Sequence, residues 1–216
     1  RDWRVMRRVL EVLVRHEHPV AIVTKGTLIE RDIDILGPMA DRGLAKVGIS
    51  VTTLDADLSR KMEPRVPPPA RRIETIRRLA DAGIPVRVMV SPVVPGLTDH
   101  ETEAILEAAA GAGARAASAI LLRLPREVAG LFREWLPEAV PGRAAKVMAR
   151  VREAHGGRDY DPEWGKRLRG EGVFAELHRR RFDMASRRLG LVDDLAPLRT
   201  DLFRVPPKPG DQLDLF

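Results

Sequence analysis

Apolar residues recur along this chain in short β-branched runs, separated by longer stretches with helical spacing. Residues 3–16 place Val5, Val9, Val12 and Leu13 on one side of a helix, and Pro19 stops it. VAIVTK, 20–25, is short and β-branched and predicts a buried strand. IERDIDILGPMADRG, 29–43, predicts a helix with Pro38 inside it and Gly43 as its stop. Strands are predicted again over 45–55, 84–93 and 114–124. A helix over 67–83 has prolines leading in and Gly83 leading out. Another over 98–113 takes Thr98 or Asp99 as its cap and has acids in its first turn. Two further helices are predicted over 126–138 and 142–154, and the stretch between the second strand and the 67–83 helix reads as a long loop.

Strand thus alternates with helix four times, the unit of a parallel sheet buried on both faces. Four strands are too few to close a barrel, so the fold class is α/β, a partial (βα) barrel of parallel strands. The first element is a helix and the chain starts at Arg1, which predicts preceding βα units. Residues 1–155 are assigned to the barrel portion, and 156–194 to a basic helical C-terminal extension. In that extension a glycine-rich loop, 156–171, leads into an amphipathic helix, 172–189. Residues 195–216, with prolines at 197, 206, 207 and 209, are predicted to form a flexible, disordered tail.

Composition narrows the class. Hydrophobic residues make up 44% of the chain, enough for a core, which excludes global disorder. No apolar run is long enough to span a bilayer and no signal-peptide pattern opens the chain, so the expected setting is the cytoplasm, with no membrane partner. There is no cysteine, hence no disulfide and no thiolate for a metal or cluster. The five histidines show no metal-ligand spacing. Net charge is +6, and residues 143–188, with thirteen Lys/Arg against seven Asp/Glu, carry all of it. A basic segment on a neutral body points to a polyanion, nucleic acid first.

Parallel α/β folds bind ligands at the carboxyl ends of their strands. Those ends here are Thr24-Lys25-Gly26, Ser50-Val51-Thr52-Thr53, Ser91-Pro92 through Gly96, and Arg123-Leu124-Pro125, a polar rim over apolar strands. Lys25 reads as an anion contact or, alternatively, as the nucleophile of a Schiff-base lyase. Glu63 and Arg65, in the long loop, would form an ion pair that clamps a ligand or holds the loop.

Taken together, the stretch 49–101 resembles the radical S-adenosylmethionine superfamily, and within it the branch related to spore photoproduct lyase. The resemblance rests on Ser50, Glu63-Pro64, the basic helix 69–82, Ala82-Gly83, Ser91-Pro92 and the strand-end Thr24-Lys25. It covers roughly residues 1–190 and implies a partial barrel that binds S-adenosylmethionine across its strand ends. Lys25, Ser50, Thr52, Glu63, Arg65, Ser91, Pro92 and Gly96 would then contact the cofactor. Ser50 and Thr52 would face its ribose and amino-acid portion, and VVPGLTD, 93–99, would lie beside adenine, closest at Gly96. Members of the superfamily hold a [4Fe–4S] cluster on a CxxxCxxC loop, and the cluster reduces the cofactor to a 5′-deoxyadenosyl radical. This chain lacks those cysteines, so the cluster is expected only with an N-terminal region outside it, and the polypeptide alone should be inactive.

The final residues Gln212, Leu213, Asp214, Leu215 and Phe216 match the pentapeptide with which bacterial proteins dock on the replication sliding clamp. Gln212 would supply amide hydrogen bonds, and Leu215 with Phe216 would fill an apolar pocket. Lys166, Arg167, Arg169, Arg179, Arg180 and Arg181 are the candidate phosphate contacts. Tyr160 and Trp164 are expected to close the open barrel rather than to stack on bases. The functional expectation is a radical S-adenosylmethionine enzyme that repairs a DNA lesion by hydrogen abstraction and is recruited by the clamp. The alternatives are a non-catalytic DNA- and clamp-binding module, or the Lys25 lyase.

Overall fold

Four parallel strands lie side by side in chain order: β1 (Val20–Thr24), β2 (Ala45–Ser50), β3 (Val86–Val93) and β4 (Ala116–Leu121). The structure, a computed structural model, describes residues 3–163 and 166–206. Helix α1 (Val5–Arg15) precedes the sheet. Crossovers run through α2 (Ile33–Asp41), α3 (Ala56–Met62) with α4 (Pro69–Asp81), and α5 (Thr102–Gly111). After β4 come α6 (Val128–Ala139), α7 (Ala144–Glu153) and α8 (Gly172–Arg188). The register pairs Thr24 with Ile49, Ser50 with Met89 and Val93 with Leu121, so all four carboxyl ends emerge on one edge. Sequential strand order is the winding of a barrel segment, as the sequence predicts.

The core lies between the sheet and its crossover helices. Val47, Ile49, Val86, Val88 and Val90 pack against Leu36 and Met39 of α2, Ile76 and Leu79 of α4, and Ile105 and Leu106 of α5. The other face is covered only in part. Lys46, Arg87, Met89 and Ser91 are half-buried, and Ala21 and Val23 are exposed. The expectation of strands buried on both faces is thereby corrected: a sheet segment that does not close on itself leaves its concave side open.

Other differences have local causes. The predicted 29–43 helix begins as a 3-10 turn over Thr27–Asp32 and becomes α-helical only from Ile33. Helix α3 stands where a loop is predicted, started by Asp55, whose carboxylate accepts from the N–H groups of Asp57 and Leu58. In α1 only Leu10 is buried, while Val5, Val9 and Val12 of the predicted apolar face are exposed.

Helix α8 docks on α5 through a two-pronged Arg181–Glu103 pair at 2.7 Å and an Arg188–Glu107 pair at 2.6 Å. The outer edge of β4 is covered: Ala117 N–H donates to the Val192 carbonyl and Leu121 N–H to the Leu168 carbonyl. The segment that follows is no free tail as far as residue 206. Leu195 is buried, Arg199 N–H donates to the Gly43 carbonyl and Arg204 N–H to the His16 carbonyl. Phe203 meets the His18 ring edge-on at 5.1 Å, and Arg204 pairs with Glu17 at 2.9 Å. These contacts offset the chain entropy that the prolines alone leave unopposed. Pro207, Pro209, the stretch Gln212–Phe216 and Trp164 lie outside the described residues.

Candidate functional site

One carboxylate ties the first three strand tips together. Glu63, at the end of α3, accepts from Lys25 beyond β1, from the Thr52 hydroxyl beyond β2 at 3.2 Å, and from Arg72 of α4 at 2.6 Å. The same Thr52 hydroxyl lies 3.2 Å from the Ser91 carbonyl of β3. Burial pushes the Glu63 carboxyl upward, but the hydrogen bonds from Lys25 and Arg72 outweigh it and hold the group below the ordinary glutamate range. It is therefore an anion at neutral pH.

Arg72 was not foreseen and anchors the arrangement. Its side chain is 1% exposed, the largest fully buried one in the structure. Its guanidinium donates to the Pro67 carbonyl at 2.8 Å, to the Ser50 carbonyl at 3.3 Å and to Glu63. A buried charge persists only when paired and hydrogen-bonded, and Arg72 meets both conditions. The predicted Glu63–Arg65 pair is not formed: Arg65 is exposed, and Lys25 with Arg72 take its place. A second carboxylate, the unforeseen Glu101, accepts from the Thr53 hydroxyl and the Leu54 N–H, each at 2.6 Å, and locks the loop after β2 to the residues just ahead of α5.

The remaining predicted contacts divide. Ser50 is buried with its carbonyl taken by Arg72, while Ser91 and Pro92 stand half-buried on the same edge. Arg123, half-buried beyond β4, has no side-chain partner among the described residues. Gly96, half-buried, lines a cleft beside α7. It has φ +77°, and a Cβ there would meet Arg150, Val147 and Lys146 of α7 at 3.6–3.9 Å. Val94, Leu97 and Thr98 beside it are buried, and Val94 and Leu97 share one cluster with Val147, Met148 and Val151 of α7. Lys25 is a third exposed and paired with a carboxylate, which differs from the isolated apolar pocket that activates a Schiff-base lysine.

The edge therefore offers cations at both ends, Lys25 and Arg123, and between them a carboxylate with three of its roughly four acceptor sites used. Such a donor set matches a zwitterionic ligand, whose carboxylate seeks the cations and whose ammonium seeks the remaining acceptor.

The basic candidates of the C-terminal segment are less free than their sequence implies. Lys166 pairs with Glu163 at 2.9 Å and Glu171 at 3.6 Å, and Arg181 is held by Glu103. Arg167 is half-buried, whereas Arg169, Arg179 and Arg180 are exposed. Tyr160 packs against the cluster around Val147 and Val151. Among the described residues no helix is long and apolar enough to cross a membrane, and no cluster of His, Cys, Asp or Glu could hold a metal.

Comparison with known proteins bears on this edge directly. The family model described as the radical SAM superfamily matches residues 2–109, which include β1 to β3, Glu63, Arg72 and Glu101. An uncharacterized protein of Mycobacterium tuberculosis is 32% identical over 155 residues, 71% of this chain and 44% of that relative. An uncharacterized protein of Acidianus two-tailed virus is 33% identical over 89 residues, 41% of this chain and 29% of its own length. One of Methanocaldococcus jannaschii is 27% identical over 101 residues, 47% and 38% respectively. The chain spans less than half the length of these curated relatives.

Proposed function

Because this chain belongs to the radical SAM superfamily, we propose that its strand-tip edge is the S-adenosylmethionine cradle of a radical enzyme. The observation that carries this is the Glu63 junction, which presents a carboxylate and cations along the carboxyl ends of parallel strands. Lys25 would take the carboxylate of the cofactor, the open acceptor site of Glu63 its ammonium, and Ser91, Pro92 and, at the far end of the edge, Arg123 would border the rest of the molecule. When bound, the cofactor supplies hydrogen-atom abstraction. The chain's own residues orient it: Arg72 fixes Glu63, the Thr52 hydroxyl gives its one proton to Glu63 or to the Ser91 carbonyl, and Glu101 holds the loop after β2. The superfamily's [4Fe–4S] cluster does not fit these residues, because the 216 positions include no cysteine.

The finer reading is a DNA-acting enzyme of the spore photoproduct lyase-related branch, docked to the sliding clamp through Gln212–Phe216. Two features support it: the surplus of basic residues over 143–188, with Arg179 and Arg180 exposed on α8, and the terminal pentapeptide sequence.

Calorimetric titration of the chain with S-adenosylmethionine tests the cradle. A saturable one-to-one heat is expected, weakened at least tenfold by Glu63→Gln and unchanged by Arg77→Ala on the exposed side of α4. No saturable heat up to about 1 mM ligand would refute it.

A further inference from the structure

Away from the strand tips, α7 and α8 face each other across a cleft of about 570 Å³, floored by Gly96, Asp99 and His100. That volume lies within the ~300–1,000 Å³ range of ligand clefts. The two walls differ in chemistry. On α7, Arg143, Lys146 and Arg150 recur at spacings of three and four, which puts them on one helical face. On α8, Phe174, Leu177, His178 and Arg181 do the same. Some of this charge is already used. Arg181 is held by Glu103, Arg150 reaches Glu153 at 2.6 Å and sits 5.9 Å from the centre of the Phe174 ring, and Asp99 accepts from Gly96 N–H at 2.6 Å. The side chains of Arg143 and Lys146 have no partner among the described residues, so two cations remain unspent at the mouth.

A basic wall opposite a partly apolar wall with an aromatic ring is the surface that a nucleic-acid strand requires. Phosphates take the cations, and the bases take the exposed Leu177 and the edge of the Phe174 ring, which already has Arg150 over it and His178 stacked beside it. His178 adds no charge: burial and Arg181 hold its imidazole below the ordinary histidine range despite Asp99 and Glu103, and it hydrogen-bonds Thr102 at 3.0 Å. We infer that this cleft binds the phosphate backbone of a single nucleic-acid strand, with Arg143 and Lys146 as its principal phosphate contacts. The inference rests on the nucleic-acid reading above and relocates the contact from the outer arginines of α8 to the facing side of α7.

The test is fluorescence anisotropy of the whole chain with a labelled single-stranded DNA 20-mer, over a range of salt. The double variant Arg143→Glu/Lys146→Glu should weaken binding at least tenfold and reduce the salt slope by roughly 1.4, the value for two single-strand phosphate contacts. The charge-matched control Arg8→Glu/Arg15→Glu on α1 should stay within about threefold of the unaltered chain. Unfolding midpoints by circular dichroism establish that the variants fold. Undiminished binding in Arg143→Glu/Lys146→Glu, with loss in Arg179→Glu/Arg180→Glu, would overturn the cleft and leave the nucleic-acid reading intact. Absence of binding by the unaltered chain would overturn both.

Discussion

Arg72 and Glu63 show what a single residue decides here. Lys25 and Glu63 are legible in the sequence because one closes a predicted strand on the ligand-binding edge and the other belongs to the Glu63-Pro64 step that carries the family resemblance. Arg72 is harder to read: it stands among Arg71, half-buried and paired with Glu30, and the exposed Arg77 and Arg78, and only its spacing of four and seven from Ile76 and Leu79 sets it on the inner face of α4. Removing Arg72 leaves Glu63 with Lys25 as its remaining cation and takes a donor from the Pro67 and Ser50 carbonyls, so Arg72→Met is expected to cost about 1–3 kcal/mol in urea unfolding. Arg65→Ala, at an exposed side chain, should cost under about 0.5 kcal/mol. The pH dependence has a definite sign. Since the folded Glu63 lies below its ordinary value of 4.5, its contribution is complete above that pH and is lost as pH falls below it. Unfolding measured from pH 6 downward should show this loss in the unaltered chain and a shallower one in Arg72→Met.

At the scale of elements, the four strands were readable because β-branched runs alternate with helical spacing. The half-open sheet was readable as well, in principle, since VRVMVSP carries Arg87, Met89 and Ser91 on alternate positions. Two things were missed for physical reasons. The prolines around 197 and 206 suggested a free tail, but Phe203 and Arg204 find His18 and Glu17, partners that no local pattern reveals. Helix α3 has only seven residues, too few for periodicity to register, although Asp55 two and three residues ahead of its N–H partners was a usable capping signal. Helix α3 matters because Glu63 caps its far end. Asp55→Ala is expected to destabilise the protein by about 1 kcal/mol, seen as a lower urea midpoint with unchanged slope. Faster amide exchange should appear over Ala56–Met62 before it appears in the sheet.

For the whole molecule, the strand order and shared edge make this chain a segment of a barrel, with one side of its sheet under helices and the other partly open. The C-terminal residues finish it. α8 clamps α5, Val192 and Leu168 cover the edge of β4, and the 195–206 segment binds the loops at the opposite end from the strand tips. On the proposals above, the carboxyl edge would take a small zwitterionic ligand and the α7–α8 cleft a polyanion, two sites with separate chemistry. Amide chemical shifts recorded while S-adenosylmethionine is titrated into the chain separate them most directly. Perturbations grouped at residues 24–26, 50–54, 63, 91–93 and 123–125 are predicted. Perturbations confined to Gly96, Asp99 and the α7–α8 walls, or none at saturating ligand, would contradict the assignment of the strand-tip edge.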